Sequence, residues 1–146
     1  MTPRVVITGL GTTNPLGGTA AETWEAALAG RSGIRSFEND WQERYEIPVG
    51  FAGFAAREPS EVLEVRELKR MDRSTQFLMV AALEAWADAG EPEVEAERLG
   101  VVASSGIGGV TTLLDGWDTV RERGARRVLP LTVPMLMPNA PAANLS

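Results

Sequence analysis

The chain has no cysteine and no histidine, and its single lysine is Lys69. The first two absences remove the thiolate nucleophile, the imidazole base, the soft metal site and the disulfide, a large part of the usual catalytic inventory, and no catalytic residue or metal ligand is named. No serine can be activated by a histidine, and the Gly-Lys-Ser/Thr of a phosphate-binding P-loop is missing. Also missing are a run of about 18 apolar residues that could cross a bilayer and the basic, then apolar, start of a signal peptide. A cytoplasmic protein without a membrane partner is expected. Positive charge is scarce as well: the net charge of −6 argues against nucleic-acid binding, which needs a positive surface.

What is there is a chain of 146 residues, 44% of them apolar, enough for one soluble domain with a core. Its charge is unevenly placed. Eight of the fourteen basic residues fall in two clusters: Arg66, Lys69, Arg70 and Arg73, then Arg121, Arg123, Arg126 and Arg127. Acids gather elsewhere, as in EPEVEAE from Glu91 to Glu97. Each basic cluster is either a solvated face paired along its helix to Glu67 or Glu122, or a docking patch for an acidic partner.

Residues 4–8, RVVIT, read as an early buried strand, followed by the loop GLGTTNPLGG. Thr19 is placed to cap a helix running through Ala29, with Glu22 as its capping-box partner and Trp24 and Leu28 on the inner face. Residues 31–58 read as irregular apart from a short strand at 48–54, and 61–68 as a short helix. The strongest helix begins near Asp72 and reaches Ala89, since RSTQFLMVAALEAWADA contains no breaker. Met79, Ala82, Leu83 and Trp86 follow helical spacing, and Phe77, Val80 and Ala81 widen the stripe, so burial on most sides is expected. Residues 99–104 read as a second buried strand. A helix from 110 to 122 follows, with Leu113, Leu114 and Trp117 as its apolar face. The tail VLPLTVPMLMPNAPAANLS is apolar, yet Pro130, Pro134, Pro138 and Pro141 forbid a long helix. Such a tail needs cover from more of the same chain or from another subunit, so the sequence reads as the front of a longer protein.

Two glycine loops follow the two strand-like runs. Strand, glycine turn and helix is the order of a dinucleotide site, but the third glycine position holds Asn14 in the first loop and Thr111 in the second. Around Ser104 and Ser105 the Gly-x-Ser-x-Gly of a nucleophile elbow is absent. Glycines here can also serve only the backbone, allowing unusual dihedrals or a close approach.

Taken in order, VVITGLGTTNPLGG, TWEAALAGRSGI, ELKRMDRSTQF, EAWADAG, SSGIGG, ARRVLPLTVPM and MPNAPAANLS resemble the front portion of β-ketoacyl-acyl-carrier-protein synthase II, a condensing enzyme of fatty-acid synthesis. The region ENDWQERYEIPV is most similar to actinobacterial members. The resemblance implies an α/β fold of the thiolase-like class, with residues 1–146 the N-terminal part of the first of two related halves, layered α-β-α-β-α in a full homodimeric enzyme. It implies a decarboxylating Claisen condensation through a cysteine that would fall just beyond Ser146, so this chain alone is expected to be inactive. No cofactor is expected. The resemblance matches Arg66, Lys69, Arg70, Arg126 and Arg127 to the face that binds acyl carrier protein. It matches Gly106, Ile107 and Gly108 to a gate on the acyl tunnel, and Val110, Thr132 and Val133 to its lining near the opposite subunit. Two other readings stay open: a non-catalytic partner subunit of the chain-length-factor type, and a dinucleotide-binding domain.

Overall fold

A computed structural model describes residues 2, 4–38 and 40–146. Its frame is the longest helix, α4, which follows four shorter elements and a further helix along the chain. In order these are α1 (Ala20–Leu28), β1 (Ile34–Ser36), α2 (Asp40–Arg44), β2 (Phe51–Gly53), α3 (Val65–Leu68) and α4 (Arg73–Asp88). Then come α5 (Val110–Arg123), α6 (Thr132–Leu136) and α7 (Ala140–Leu145). Short 3-10 turns stand at Pro59–Glu61, Ala96–Arg98 and Ala125–Arg127.

Two of the three long helices, α1 and α4, form where a side-chain cap and uninterrupted sequence call for them. Thr19 accepts a hydrogen bond from the Glu22 amide at the start of α1, and Asp72 accepts one from the Ser74 amide at the start of α4. The Glu22 carboxylate turns back one residue further than a capping box requires, to the Gly18 amide at 2.8 Å. The helix expected over 61–68 divides into the turn Pro59–Glu61 and α3. Each piece is closed by a glutamate reaching back, Glu61 to the Glu58 amide and Glu67 to the Glu64 amide, both at 2.9 Å. Proline breaks the tail into α6 and α7, and α7 packs along α4.

Several expectations fail, and for one physical reason. The buried strands expected at residues 4–8 and 99–104 do not form, because a strand needs a neighbour to complete its ladder of amides and carbonyls. Among the described residues β1 pairs antiparallel with β2, from Ile34 opposite Gly53 to Ser36 opposite Phe51, and neither strand-like run joins them. Val5 is 96% exposed. Residues 101–105 nevertheless alternate, with Val101, Ala103 and Ser105 half-buried and Val102 and Ser104 exposed, the two-residue period of a strand covered on one side. Of α1, Ala26 is buried while Trp24 and Leu28 face outward, and α5 exposes Leu113, Leu114 and Trp117. Helix α4 buries Thr75 and Val80 but leaves Leu83 and Trp86 exposed. The elements β1 and α2 form within residues 31–58, where the sequence pattern predicts only the short strand at 48–54.

The core is accordingly small: Leu63, Met71 and Val80, with Val62, Leu68 and Met79 packed around them. The chain exposes 11331 Å². A compact monomer of its 15.7 kDa would expose about 7,300 Å², so the excess is about 4,000 Å² and much of it is apolar.

Candidate functional site

The glycine loop before α5 is held from both sides. The Ser105 amide donates to the Pro138 carbonyl and the Gly109 amide to the Leu136 carbonyl, each at 3.1 Å, which fastens the loop to the end of α6. The Ser105 hydroxyl accepts from the Gly108 amide at 2.7 Å, so this serine closes a turn. Gly108 has φ +88°, and a Cβ there would stand 2.0 Å from the Leu136 carbonyl oxygen. A Cβ on Gly109 would stand 2.6 Å from the Met135 carbonyl oxygen and 2.8 Å from the Asp72 carboxyl carbon. Gly106, by contrast, has nothing within 4 Å of a Cβ. The two glycines flanking Ile107 thus differ: Gly106 faces open space, while Gly108 is locked by close approach.

Ile107 projects from this fixed turn and is 78% exposed. Val110 opens α5 and is partly exposed, as is Val133 on α6. Helices α5 and α6 pack together, and a Cβ on Gly116 would touch the Thr132 methyl at 3.4 Å. The loop 106–108 thus lies against the end of α6, while Thr132 at its start meets α5 further on, at Gly116.

Asp72 completes the arrangement by serving two helix starts at once. One carboxylate oxygen accepts from the Ser74 amide and hydroxyl at 2.9 and 2.8 Å. The other accepts from the Thr112 amide and hydroxyl at 3.0 and 2.6 Å. Asp72 is 3% exposed. Burial alone would raise its pKa, but the Thr112 and Ser74 donors outweigh that penalty and hold it below the ordinary carboxylate value. The acidic residue before a long helix signals a cap in the sequence; its reach to a second helix forty residues on has no local signal.

These contacts speak to the dinucleotide reading. The first turn of α5, where a phosphate would sit, is already occupied by the Asp72 carboxylate. In the first loop the Leu10 amide donates to Asp88 and the Thr12 amide to Glu84, at 2.9 and 2.8 Å. Gly9 and Gly11 press against the backbone of α4, where a Cβ would stand 2.1 Å from the Ala85 carbonyl oxygen and 1.9 Å from that of Ala81, respectively. Both glycine loops serve packing.

The basic clusters lie apart from this packing. Arg66, Lys69 and Arg70 are exposed around a shallow depression that also holds Glu64 and Val65. Arg126 and Arg127 are exposed in the 3-10 turn after α5. Among the described residues the ion pairs are Arg73 with Glu58 at 2.7 Å and Arg121 with Asp118 at 3.8 Å, so none of these five cations is paired. Glu67 is turned to its own helix start. A cleft of about 320 Å³ runs from Arg70 to Leu131 in the tail. Among the described residues no cluster of acids suited to a metal ion occurs, and no helix is long and apolar enough to cross a membrane.

The family profile of the beta-ketoacyl synthase N-terminal domain matches residues 2–146. The 3-oxoacyl-[acyl-carrier-protein] synthase 2 of Mycobacterium bovis is 37% identical over 141 residues, 97% of this chain and 34% of the relative. That of Staphylococcus aureus is 39% identical over 146 residues, 98% of this chain and 35% of the relative. The chain thus spans about a third of the length of these curated relatives. A crystal structure of a beta-ketoacyl synthase from Burkholderia phymatum superposes with a TM-score of 0.74 at 30% identity, over 99% of this chain and 36% of that one. A type II polyketide ketosynthase solved in complex with its acyl-carrier protein shares the fold with a TM-score of 0.74 at 17% identity, over 100% and 40% of the two chains. The α/β class expected from the sequence is therefore that of the N-terminal part of the ketosynthase fold, which is thiolase-like. With the family profile matched almost end to end, the chain belongs to the beta-ketoacyl synthases, as their N-terminal domain.

Proposed function

We propose that the chain supplies the acyl gate and part of the carrier-docking face of a 3-oxoacyl-[acyl-carrier-protein] synthase working in the cytoplasm in fatty-acid biosynthesis. The complete enzyme extends an acyl chain held as a thioester on a cysteine. Malonyl-acyl-carrier protein loses carbon dioxide, the resulting carbanion attacks the thioester carbonyl, a carbon–carbon bond forms and the cysteine thiolate leaves. The cysteine and the histidines that stabilise developing oxyanions lie outside these 146 residues, so the roles of this chain are binding and positioning.

The observation that carries the reading is Ile107, an exposed branched side chain projecting from a turn that is fixed at Ser105, Gly108 and Gly109. Such a side chain can obstruct or clear an apolar path by rotating, with Gly106 free to absorb the change and Gly108 holding the base. Val110, Thr132 and Val133 line the same path where a second subunit closes it, and the apolar excess of surface supports cover by further sequence and by a partner copy. Arg66, Lys69, Arg70, Arg126 and Arg127 attract and orient an acidic carrier protein, being exposed and unpaired. The polyketide complex described above, in which a ketosynthase of this fold is bound to its acyl-carrier protein, supports that class of partner.

A malonyl-dependent elongation assay tests the reading. The complete gene product is expected to elongate and the isolated chain to give nothing; product from the isolated chain would overturn the division of roles. In the complete enzyme, Ile107→Phe is expected to shorten the longest acyl chain accepted. An unaltered chain-length profile removes the gate. A glutamine at the nucleophile position of the complete protein, with no elongation, would favour the chain-length-factor alternative.

A further inference from the structure

The first turn of α5 has no cap of its own. Its N-cap residue is Gly109, which has no side chain, so the exposed amides that every helix start carries must find acceptors elsewhere. The Thr112 amide finds the carboxylate of Asp72, a residue of another helix start, and the Thr112 hydroxyl joins it. Gly109 lies so close to that carboxyl group that a single added methyl would collide with it. The same carboxylate caps α4 through Ser74, and Gln76 clamps the preceding turn through the Leu68 and Met71 carbonyls, both at 2.9 Å. The grip therefore comes from a rigid base.

Ile107 stands three residues before Val110, the first residue of α5, and the intervening backbone is fixed by Gly108 and Gly109. Where the first turn of α5 goes, the base of Ile107 goes with it. We infer that Asp72 is a positioning residue for the acyl gate: by tying the start of α5 to the start of α4 through Thr112, it sets where Ile107 stands and so which acyl lengths pass. This rests on the reading of Ile107 as a gate. A purely structural Asp72 would stabilise the fold without selecting among substrates, and the two roles separate in experiment.

The test uses the complete synthase with Asp72→Asn, Thr112→Val, Thr112→Ser and Ile107→Phe. Asparagine presents an amide donor where one pair of donors expects an acceptor; valine removes the hydroxyl and leaves the amide bond. Amide hydrogen exchange over 105–112 and the product length distribution are measured for each. Asp72→Asn and Thr112→Val are expected to speed exchange at Gly108, Gly109 and Thr112 by about tenfold and to broaden the products toward longer chains, while Thr112→Ser restores both. Should Asp72→Asn fail to fold, the Thr112 pair carries the test alone. Exchange unchanged in the variants overturns the anchor. Faster exchange with unchanged products, in an enzyme whose products Ile107→Phe does shorten, overturns the positioning role and leaves the gate standing. Products unchanged in Ile107→Phe as well remove the gate and this inference with it.

Discussion

Residues 9–12 and residues 105–109 both run their backbone hard against another backbone, the first finding its amide acceptors on α4 and the second in α6 and just after it, and they end in different states. The first loop is fixed along its length: Gly9 and Gly11 rest on the Ala85 and Ala81 carbonyls, and Asp88 and Glu84, one helical turn apart, take the Leu10 and Thr12 amides. The second is fixed only at its ends. Ser105 and Gly109 are tied to α6 and Thr112 to Asp72, while Gly106 and Ile107 between them touch little. Similar glycine spacing thus yields a strut in one place and a mounted side chain in the other, and what separates them is whether the middle of the loop meets a neighbour.

The sharpest way to break that comparison is to add one methyl group at each kind of glycine. Gly108→Ala is expected to cost about 3 kcal/mol, from left-handed backbone strain and collision with the Leu136 carbonyl, whereas Gly106→Ala should cost under about 1 kcal/mol. Urea unfolding of the complete protein distinguishes them, and equal losses would deny that the two glycines differ. Acid provides a second handle, of intermediate size. The folded-state pKa of Asp72 lies below its ordinary value of 3.8, so its contribution is fully present above that value and fades as pH falls through the folded-state pKa. Asp72→Asn should therefore flatten the acid limb of a stability profile below about pH 4. An acid limb identical to that of the unaltered protein would mean the carboxylate is not held ionised by Ser74 and Thr112. The smallest effect on stability belongs to a surface that neither loop touches. Lys69→Glu with Arg127→Glu should change stability by less than about 0.5 kcal/mol. The pair should still weaken carrier-protein binding most at low salt. Binding that is unaffected at low salt would remove these residues from the docking face.

The parts of this fold that were legible are those whose cause is local. Thr19 marks the start of α1, an unbroken run of helix formers after Asp72 marks α4, and Pro138, one of the four tail prolines, stands at the break between α6 and α7. The failures share a cause: what the sequence states is a hydrophobic demand, and the partner that meets it can be distant or outside the chain. Trp24, Leu28, Trp117 and the β-branched runs at 4–8 and 99–104 state the demand correctly and remain unmet here. Asp72 shows the same limit for polar groups. Its bond to Ser74 is written two residues away; its bond to Thr112 exists only because the chain folds back. Clustering alone marks eight cations, of which Arg73 and Arg121 form ion pairs; the resemblance narrows them to Arg66, Lys69, Arg70, Arg126 and Arg127, which are exposed and form no ion pair among the described residues.

The uncovered runs also matter before the protein is finished. Synthesis proceeds from the N-terminus, so in relatives about three times as long the matching N-terminal domain leaves the ribosome ahead of the rest, by an interval set by elongation at about 5–20 residues per second. During that interval Val5, Val6, Ile7 and Val102 present β-branched surface with no ladder to join, the kind of edge to which another nascent chain can pair. The unpaired runs thus give the domain a vulnerable period in the cell, one that is sensitive to translation speed and to chaperones.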